Sequence, residues 1–230
     1  MKVVILQPSF IPWRGYFHQI QKADLFVFYD CVQYDDRGWR NRNKIKTAAG
    51  ESWLTIPVKS KGCQTLKTPI IDILIDWEKP WPDKHMKALQ HSYSRAPFFS
   101  RYKLLLEKIY NRQDLKLADF TCSTTELIAL ELGIKQTAFV RSSKLPAEGA
   151  KTDRLISILK HLGAKHYISG PSAKKYLEKE KFEREGISVE FMSYIYPDYP
   201  QINGTFNPNA SILDLLFNAG PKAGEFIWGK

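Results

Sequence analysis

Two neighbouring stretches decide the fold of this chain: ILQPSFIPWRGYF at residues 5–17 and ADLFVFYDCVQY at residues 23–34. Residues 3–7 are short, β-branched and followed by a proline, which predicts a buried strand. We expect a short helix over residues 16–22 and a second buried strand over residues 25–30. Strand, turn, helix and strand in this order predict a parallel pair joined by a right-handed crossover.

Strand and helix patterns alternate at both ends of the chain, and a helical block separates them. Further strands are expected at residues 53–58, 70–75, 134–141, 166–169 and 187–194, and further helices at residues 83–93, 97–110, 115–132, 152–162, 172–177 and 212–218. This pattern predicts an α/β protein with a mostly parallel sheet in three layers. The length fits a single domain over residues 1–230 with a helical insert at about 79–133.

The composition fits a folded protein with a basic surface, because 43% of its 230 residues are hydrophobic and its net charge is +10. Such a surface suits a polyanion, an anionic membrane or a phosphorylated small molecule, although charge also serves solubility alone. Cys31, Cys63 and Cys122 lie far apart without a CxxC pair, which favours a reducing compartment. With no apolar run of ~18 residues and no cleavable signal, we expect a cytoplasmic protein without a transmembrane segment.

The turn after the first strand supplies the first candidate ligand-binding residues. Gln7 and Ser9 stand at the strand end, where they could offer hydrogen bonds. Gly15 would allow close backbone approach, and the next helix would point its N-terminal amides at an anion. Trp13 could stack on a base or a sugar. The alternative is a proline-kinked turn that holds Trp13 and Tyr16 in the core.

Asp30, Gln33 and Tyr34 follow the second strand, and the carboxyl ends of strands are where open α/β sheets bind ligands. Asp30 could act as a general base toward an amine or hydroxyl, or bind a ribose hydroxyl. It could equally just cap the strand end. His18 and His85 are further candidate bases. The five histidines show no metal-ligand spacing, so no metal site is predicted.

The segment RGWRNRNKIK at residues 37–46 contains five cations in ten residues. Were it extended, four of the cations would share one face. Arg40 and Arg42 would then grip phosphates as planar forks, and Asn41 and Asn43 would bind polar edges of the ligand. Alternating cations on an edge strand also discourage aggregation, which is the competing interpretation.

Two later strand ends show similar chemistry. Ser142 and Ser143 directly follow a predicted strand, and Lys151 and Thr152 open the next helix. A serine-rich turn before a helix N-terminus is a plausible phosphate site. Thr152 could instead simply cap the helix.

The segment ISGPS places Ser169 and Gly170 at a junction of strand, glycine turn and helix, although the full P-loop pattern is missing. Gln201 lies in a proline-rich loop whose amides and aromatics suit sugar or nucleotide contact. Both segments are also compatible with ordinary turns. Beyond them, Ser211 and Asp214 predict a capping box for the last helix.

Seven blocks of this sequence, spread in order over nearly the whole chain, resemble the WbqC-like protein family. They are ILQPSFIPWRGYF, ADLFVFYDCVQY, RGWRNRNKIK, SWLTIPV, YSRAPFF, YISGPSAKKYL and YPQINGTFNPNASILDLLFNAG. Membership implies a bacterial protein, often associated with the biosynthesis of O-antigen or another surface polysaccharide.

A weaker resemblance concerns the turn WRGY at residues 13–16. It is similar to the H-x-G-H turn of the nucleotidyltransferase and pantoate–β-alanine ligase superfamily, in which the turn and the helix N-terminus hold nucleotide phosphates. Trp13 and Tyr16 replace both histidines, and only Gly15 matches. The resemblance therefore implies a nucleotidyltransferase-like architecture more than adenylyl transfer.

The strand-end residues predict a small-molecule enzyme, and the resemblance implies that it makes precursors of a bacterial surface polysaccharide. Stated most concretely, the predicted reaction is acyl or aminoacyl transfer to the amino group of a nucleotide-linked sugar. Trp13 and Tyr34 would pack on the base or the sugar. The acyl donor and any cofactor are not indicated. A non-catalytic scaffold in a polysaccharide assembly complex is one alternative. A nucleic-acid-binding protein is another, disfavoured because no known module is present and the cations are concentrated locally.

Overall fold

Seven strands and seven α-helices make up the computed structural model, which describes residues 1–229. The strands are β1 (Lys2–Leu6), β2 (Leu25–Phe28), β3 (Arg42–Thr47), β4 (Gly50–Thr55), β5 (Ala138–Arg141), β6 (His166–Ser169) and β7 (Ser188–Phe191). The α-helices are α1 (Arg14–Lys22), α2 (Trp81–Tyr93), α3 (Lys103–Tyr110), α4 (Leu117–Glu131), α5 (Lys151–His161), α6 (Lys179–Arg184) and α7 (Ile212–Ala219). Short 3-10 helices cover Ile70–Asp72, Phe99–Tyr102, Ser142–Lys144, Pro171–Lys175 and Gly220–Phe226.

Five of the strands form one parallel sheet, in the order β5-β2-β1-β6-β7. The central strand β1 pairs on both sides, so that Val4 lies between Phe26 and Ile168. After β1 the chain first builds one side of the sheet and then the other. The space between β1 and β6 is therefore the topological switch point, where open α/β sheets bind ligands. The predicted α/β class with a mostly parallel sheet is confirmed.

Both faces of the sheet are covered, which explains the near-continuous apolar runs in β1 and β2. Val4 and Phe26 face the larger core cluster, which also holds buried residues of α1, α4 and α7. Val3 and Val27 face a smaller cluster on the opposite side, together with residues of α5 and α6. Helices on both faces of one sheet give the three layers.

The long connection between β2 and β5 contains the antiparallel β3–β4 hairpin and helices α2, α3 and α4. Buried residues of these helices, such as Leu89, Leu106 and Ile128, belong to the larger core cluster. The connection therefore packs on the same core as α1 and α7. Among the described helices, none combines the length and the apolar composition needed to cross a membrane.

Several elements differ from the sequence predictions: β3 was not among the predicted strands, and the helix expected at residues 172–177 is a 3-10 helix. The stretch 70–75 is not a strand, since Ile70–Asp72 forms a 3-10 helix and Ile71 N donates to Asp30 O at 3.0 Å. A short β-branched run fits either element, and here the hydrogen bonds to the loop after β2 decide. Helix α6 was missed because its sequence KEKFER buries only one side chain, that of Phe182.

The start of α7 only partly matches the predicted capping box. Ser211 Oγ accepts a hydrogen bond from Leu213 N at 3.2 Å, so Ser211 is the expected N-cap. Asp214 does not reach back to Ser211. Its buried carboxylate accepts hydrogen bonds from the hydroxyls of Tyr93 and Tyr199, both at 2.8 Å. Asp214 thus joins α7 to α2 and to the loop before α7.

Candidate functional site

A pocket of about 720 Å³ opens at the switch point, where β1 and β6 end. We call it the switch-point pocket. Gln7 and Ser9 follow β1, while Ser169 and Gly170 lie at the end of β6. Residues at the N-terminal ends of α1 and α5 also line it, although these helices lie on opposite faces of the sheet. A pocket of this volume accommodates a small-molecule ligand such as a nucleotide.

The structure brings together many of the residues that the sequence singled out. Those lining the switch-point pocket are Gln7, Ser9, Trp13, Tyr16, Arg40, Asn43, Lys151, Thr152, Ser169 and Gly170. They come from four separate segments of the chain. Three of these segments follow strands of the parallel sheet, which end at one edge, and the fourth, with Arg40 and Asn43, lies at the start of the β3–β4 hairpin.

Two helices begin at the pocket without a side-chain cap. The N-cap of α1 is Trp13 and that of α5 is Ala150, and neither side chain accepts a hydrogen bond from its helix. The first N–H groups of a helix have no partner within the helix and carry a partial positive charge. Both ends are therefore suited to an anion in the pocket. Thr152 is not the predicted cap, because its hydroxyl accepts from Glu178 N at 3.4 Å.

Arg40 places a guanidinium on the wall of the pocket without an acidic partner. Its Nη1 donates to Pro8 O at 3.3 Å, and its buried Nε has no hydrogen-bond partner. Within residues 1–229, Arg40 forms no salt bridge with a side-chain carboxylate. Burial lowers the pKa of Arg40 below its usual value, and the nearby Tyr16 and Asp35 oppose that shift. A partly desolvated, unpaired cation is stabilised when an anion binds.

The turn after β1 carries backbone strain beside Arg40. Ile11 has a φ of +36°, a region that β-branched residues adopt only when the surroundings impose it. Asn43 imposes it, since Nδ2 donates to Phe10 O at 3.0 Å and to Ile11 O at 2.9 Å. Strain of about 1–3 kcal/mol at such a residue is typical of ligand-binding sites.

Gly15 makes room for a side chain of the pocket. A Cβ atom at this position would overlap the indole ring of Trp13, which folds back over the first turn of α1. The Trp13 ring also packs edge-on against Tyr194, with centroids 4.9 Å apart. Between them in sequence, Arg14 points elsewhere and donates to Pro197 O at 2.8 Å. The glycine of the WRGY turn therefore leaves the space in which the Trp13 indole packs and lines the pocket.

Asp30 lies at the same edge of the sheet but outside the pocket lining. Its side chain is 0% exposed. Oδ1 accepts from Ser142 Oγ and Ser143 N at 2.9 Å, and Oδ2 accepts from Arg141 Nε at 2.6 Å and Ser143 Oγ at 2.9 Å. We call these four residues the Asp30 cluster. They fasten the end of β2 to the end of β5, and they occupy both oxygens of the carboxylate.

The two candidate histidines also lie outside the pocket lining. His18 Nδ1 lies 2.9 Å from the hydroxyl of Tyr196. His85 is 5% exposed, and its Nε2 lies 3.1 Å from Thr55 O. Burial lowers the pKa of His85 to about 4, so the imidazole is neutral at pH 7. None of the three predicted bases is placed at the pocket wall.

Three more of the predicted ligand-binding residues, Gln33, Tyr34 and Asn41, lie outside the pocket lining. Tyr34 is buried, and Gln33 Nε2 donates to Gln64 O at 3.3 Å. Asn41 Nδ2 donates to Ile56 O at 2.8 Å, which ties the start of β3 to the end of β4. Their side chains stabilise loops and the hairpin.

Two further predicted residues, Arg42 and Gln201, also lie outside the pocket lining. Arg42 lies on the hairpin surface with Cζ 4.7 Å from the ring centroid of Trp53. Gln201 Nε2 donates to Asp214 Oδ1 at 2.8 Å. Gln201 therefore belongs to the buried hydrogen-bond network at the start of α7.

Several lining residues were not selected from the sequence. Besides several apolar or small residues, they include Tyr29, Trp39, Lys44, Glu51, Tyr167, Tyr176 and Asn209. Trp39 was detectable as an aromatic residue inside the cationic segment. Glu51 was not, because only the pairing of β3 with β4 brings it to Lys44, with which it forms a salt bridge. Among the lining residues of the described chain, Glu51 is the one carboxylate.

Within residues 1–229 no group of three or more His, Cys, Asp or Glu side chains is arranged to hold a metal ion. The sequence model of the WbqC-like protein family matches residues 7–226. An uncharacterized protein of Mycobacterium tuberculosis, Rv1507c, is 40% identical over 228 residues, which cover 98% of this chain and 97% of the relative. No solved structure matches the chain significantly.

Proposed function

We propose that this chain, which belongs to the WbqC-like protein family, is an enzyme that binds a phosphate-bearing small molecule in the switch-point pocket. The observation that carries the proposal is the unpaired guanidinium of Arg40. Its guanidinium reaches the pocket without a carboxylate partner, where two helices start uncapped. A pyrophosphate bound there would receive a planar fork from Arg40 and backbone N–H groups from both helices.

The rest of the pocket suits the organic part of such a ligand. Trp13, Tyr29 and Trp39 supply flat apolar walls, against which a base or a sugar ring packs. Ser169 and Gln7 offer hydrogen-bonding groups between these walls. A few polar groups among aromatic ones are typical of small-molecule sites, and a nucleotide-linked sugar fits this description.

The specific reaction that we propose is acyl or aminoacyl transfer to the amino group of a nucleotide-linked sugar. In that step the amine nitrogen forms a bond to the acyl carbonyl carbon, the donor's leaving group departs, and the nitrogen loses a proton. The support is the pocket, together with the link to bacterial surface polysaccharides that the resemblance to the WbqC-like protein family implies. Because the predicted bases lie elsewhere, we assign contact with the amino group to Glu51, which lines the pocket. The pocket would promote the reaction mainly by positioning both substrates.

A thermal-shift panel tests the binding step. ATP, acyl-coenzyme A and nucleotide-linked amino sugars are added to the protein, with short RNA and DNA as controls. A ligand at 100 times its dissociation constant adds about 2.7 kcal/mol of stability. For a chain of this size, that raises the melting temperature by roughly 5–10 °C.

Two arginine variants make the panel specific. Arg40→Ala should abolish the ligand-induced rise in melting temperature. Arg40→Lys should retain only part of that rise, since lysine keeps the charge without the planar fork. Arg37→Ala is the matched control, because Arg37 is an exposed arginine of the same segment that does not line the pocket. A shift that survives in Arg40→Ala, or the absence of any shift with the small molecules, contradicts the proposal.

A further inference from the structure

A second ligand surface lies immediately outside the pocket, on the β3–β4 hairpin. Trp39 and Trp53 are each 44% exposed, and their ring centroids are 5.4 Å apart. Trp39 also lines the switch-point pocket, whereas Trp53 does not. We call these two side chains the Trp39–Trp53 platform. Large exposed aromatic groups next to a pocket mark a site of contact with a ligand or partner.

Strand pairing directs Trp53 to the outer face of the hairpin. Trp53 lies directly opposite Lys44, so both side chains project from the same face. On the other face, Asn43 and Ile45 are buried and fasten the hairpin to the core. In β4 the buried Leu54 alternates with the exposed Trp53 and Thr55, which keeps Trp53 at the surface instead of in the core.

Cations hold the platform in place. Arg42 Cζ lies 4.7 Å and Lys44 Nζ lies 5.2 Å from the ring centroid of Trp53. Arg42 is itself fixed, since Nη2 donates to Arg37 O at 2.6 Å and Nε to Gly38 O at 3.4 Å. Because the surroundings order these side chains before any ligand arrives, stacking on the platform costs little side-chain entropy.

Planar polar groups stand next to the platform. Glu51 lines the pocket and accepts a hydrogen bond from Asn207 Nδ2 at 2.7 Å, and Asn209 also lines the pocket. A pyranose ring presents apolar C–H faces and a rim of hydroxyl groups. An indole surface suits the faces, while carboxylate and amide groups suit the hydroxyls.

We propose that the Trp39–Trp53 platform binds the sugar ring of a ligand whose phosphates occupy the switch-point pocket. The assignment rests on the proposed function, because it requires the phosphates near Arg40. Trp39 links the switch-point pocket to the platform, since it lines the pocket and packs on Trp53. The ligand class is therefore a nucleoside diphosphate sugar, whose terminal sugar ring lies at the mouth of the pocket, beside the hairpin.

The test compares each nucleoside diphosphate with its sugar conjugate by calorimetric titration. The probes are UDP with UDP-N-acetylglucosamine, GDP with GDP-mannose, ADP with ADP-glucose and dTDP with dTDP-glucose. In the wild-type protein, at least one sugar conjugate should bind more tightly than its parent diphosphate. Trp53→Ala should reduce that gain by about fivefold and leave affinity for the diphosphate unchanged.

Two further variants separate the platform from the phosphate site. Trp53→Phe keeps an aromatic ring and should retain most of the gain. Arg40→Lys, which keeps part of the phosphate binding, should weaken the diphosphate and the conjugate by the same factor, so the gain persists. If no probe binds the wild-type protein, the proposed function and the platform assignment both fail. If diphosphates bind but the sugar adds nothing, or Trp53→Ala leaves the gain intact, the platform assignment alone is overturned.

Discussion

The Asp30 cluster and the switch-point pocket lie at the same edge of the sheet, yet they differ in whether the charged group has a partner of opposite charge, although Arg141 Nη2 in the cluster, like Arg40 Nε, lacks a hydrogen-bond partner. The Asp30 carboxylate accepts four hydrogen bonds and has no exposed surface. Arg40 in the pocket has a buried Nε without a partner and forms no salt bridge within residues 1–229. At the end of β2 the buried charge of Asp30 is thus paired with Arg141, whereas the charge of Arg40 at the pocket has no carboxylate partner within residues 1–229, which is the arrangement expected of an anion site.

Removing the Asp30 carboxylate should produce the largest effect on stability. Asp30→Ala leaves Arg141 Nε and the hydroxyls of Ser142 and Ser143 without their acceptor, while Arg141 Nη1 keeps its salt bridge with Asp119. We expect a loss of about 3–5 kcal/mol in the free energy of unfolding, measured by urea denaturation. Asp36→Ala is the control, since Asp36 is exposed and should change stability by no more than about 0.5 kcal/mol. Equal stability of Asp30→Ala and wild type would mean that the Asp30 cluster does not hold the strand ends together.

His85 makes stability depend on pH in the acid range. Burial lowers its pKa in the folded protein to about 4, whereas the unfolded chain protonates near 6.5. The unfolded state therefore binds more protons between these values, so stability falls as the pH drops from about 6.5 to 4. The expected loss is about 3 kcal/mol. Unfolding free energies of wild type and His85→Gln at pH 7 and 4.5 measure it, and an equal loss in both would exclude His85 as its source.

Gly15→Ala tests the seating of Trp13. The added methyl group overlaps the indole, and relief of such overpacking costs about 1–3 kcal/mol. In the Trp13→Ala background the ring is absent, so the same change should cost nothing. Urea denaturation of the four proteins gives this coupling energy directly. If Gly15→Ala costs the same with and without the indole, the glycine serves another purpose.

The smallest effect concerns the strained backbone at the start of α5. Lys151 has a φ of +50°, so Lys151→Gly should raise the free energy of unfolding by about 1 kcal/mol. It should also weaken phosphate binding, because Lys151 lines the pocket. Lys67 is the matched control, with a φ of +52° at an exposed position that does not line the pocket. Lys67→Gly should give the same stability gain without the loss of affinity, and equal affinities in the two variants would contradict this account.

The sequence was sufficient for the parallel pair of β1 and β2, but not for the strand order that places the pocket between β1 and β6. The short apolar runs of β1 and β2, with a polar turn after each, predicted a parallel pair and a ligand site at its carboxyl edge. The order of the strands is what places the pocket beside β6, and therefore at Ser169 and Gly170. Both residues were selected from the local pattern of a strand followed by a glycine turn.

The roles of individual residues depend on contacts between distant segments. Asp30 meets Ser142 and Arg141 across more than 100 residues, and no local pattern shows that they saturate its carboxylate. Glu51 reaches the pocket only through the register of the hairpin. Residue types therefore indicated polar strand ends. Contacts between distant segments decided at which strand end the polar side chains bind one another and at which they line a pocket.

Calorimetric titration of inorganic pyrophosphate into the wild-type protein, Arg40→Ala and Arg37→Ala tests the central claim most directly. The account predicts saturable binding of one pyrophosphate to the wild type and to Arg37→Ala, and none to Arg40→Ala with its melting temperature preserved. Equal binding by wild type and Arg40→Ala, or no saturable binding by any of the three, would contradict an anion site at the switch point.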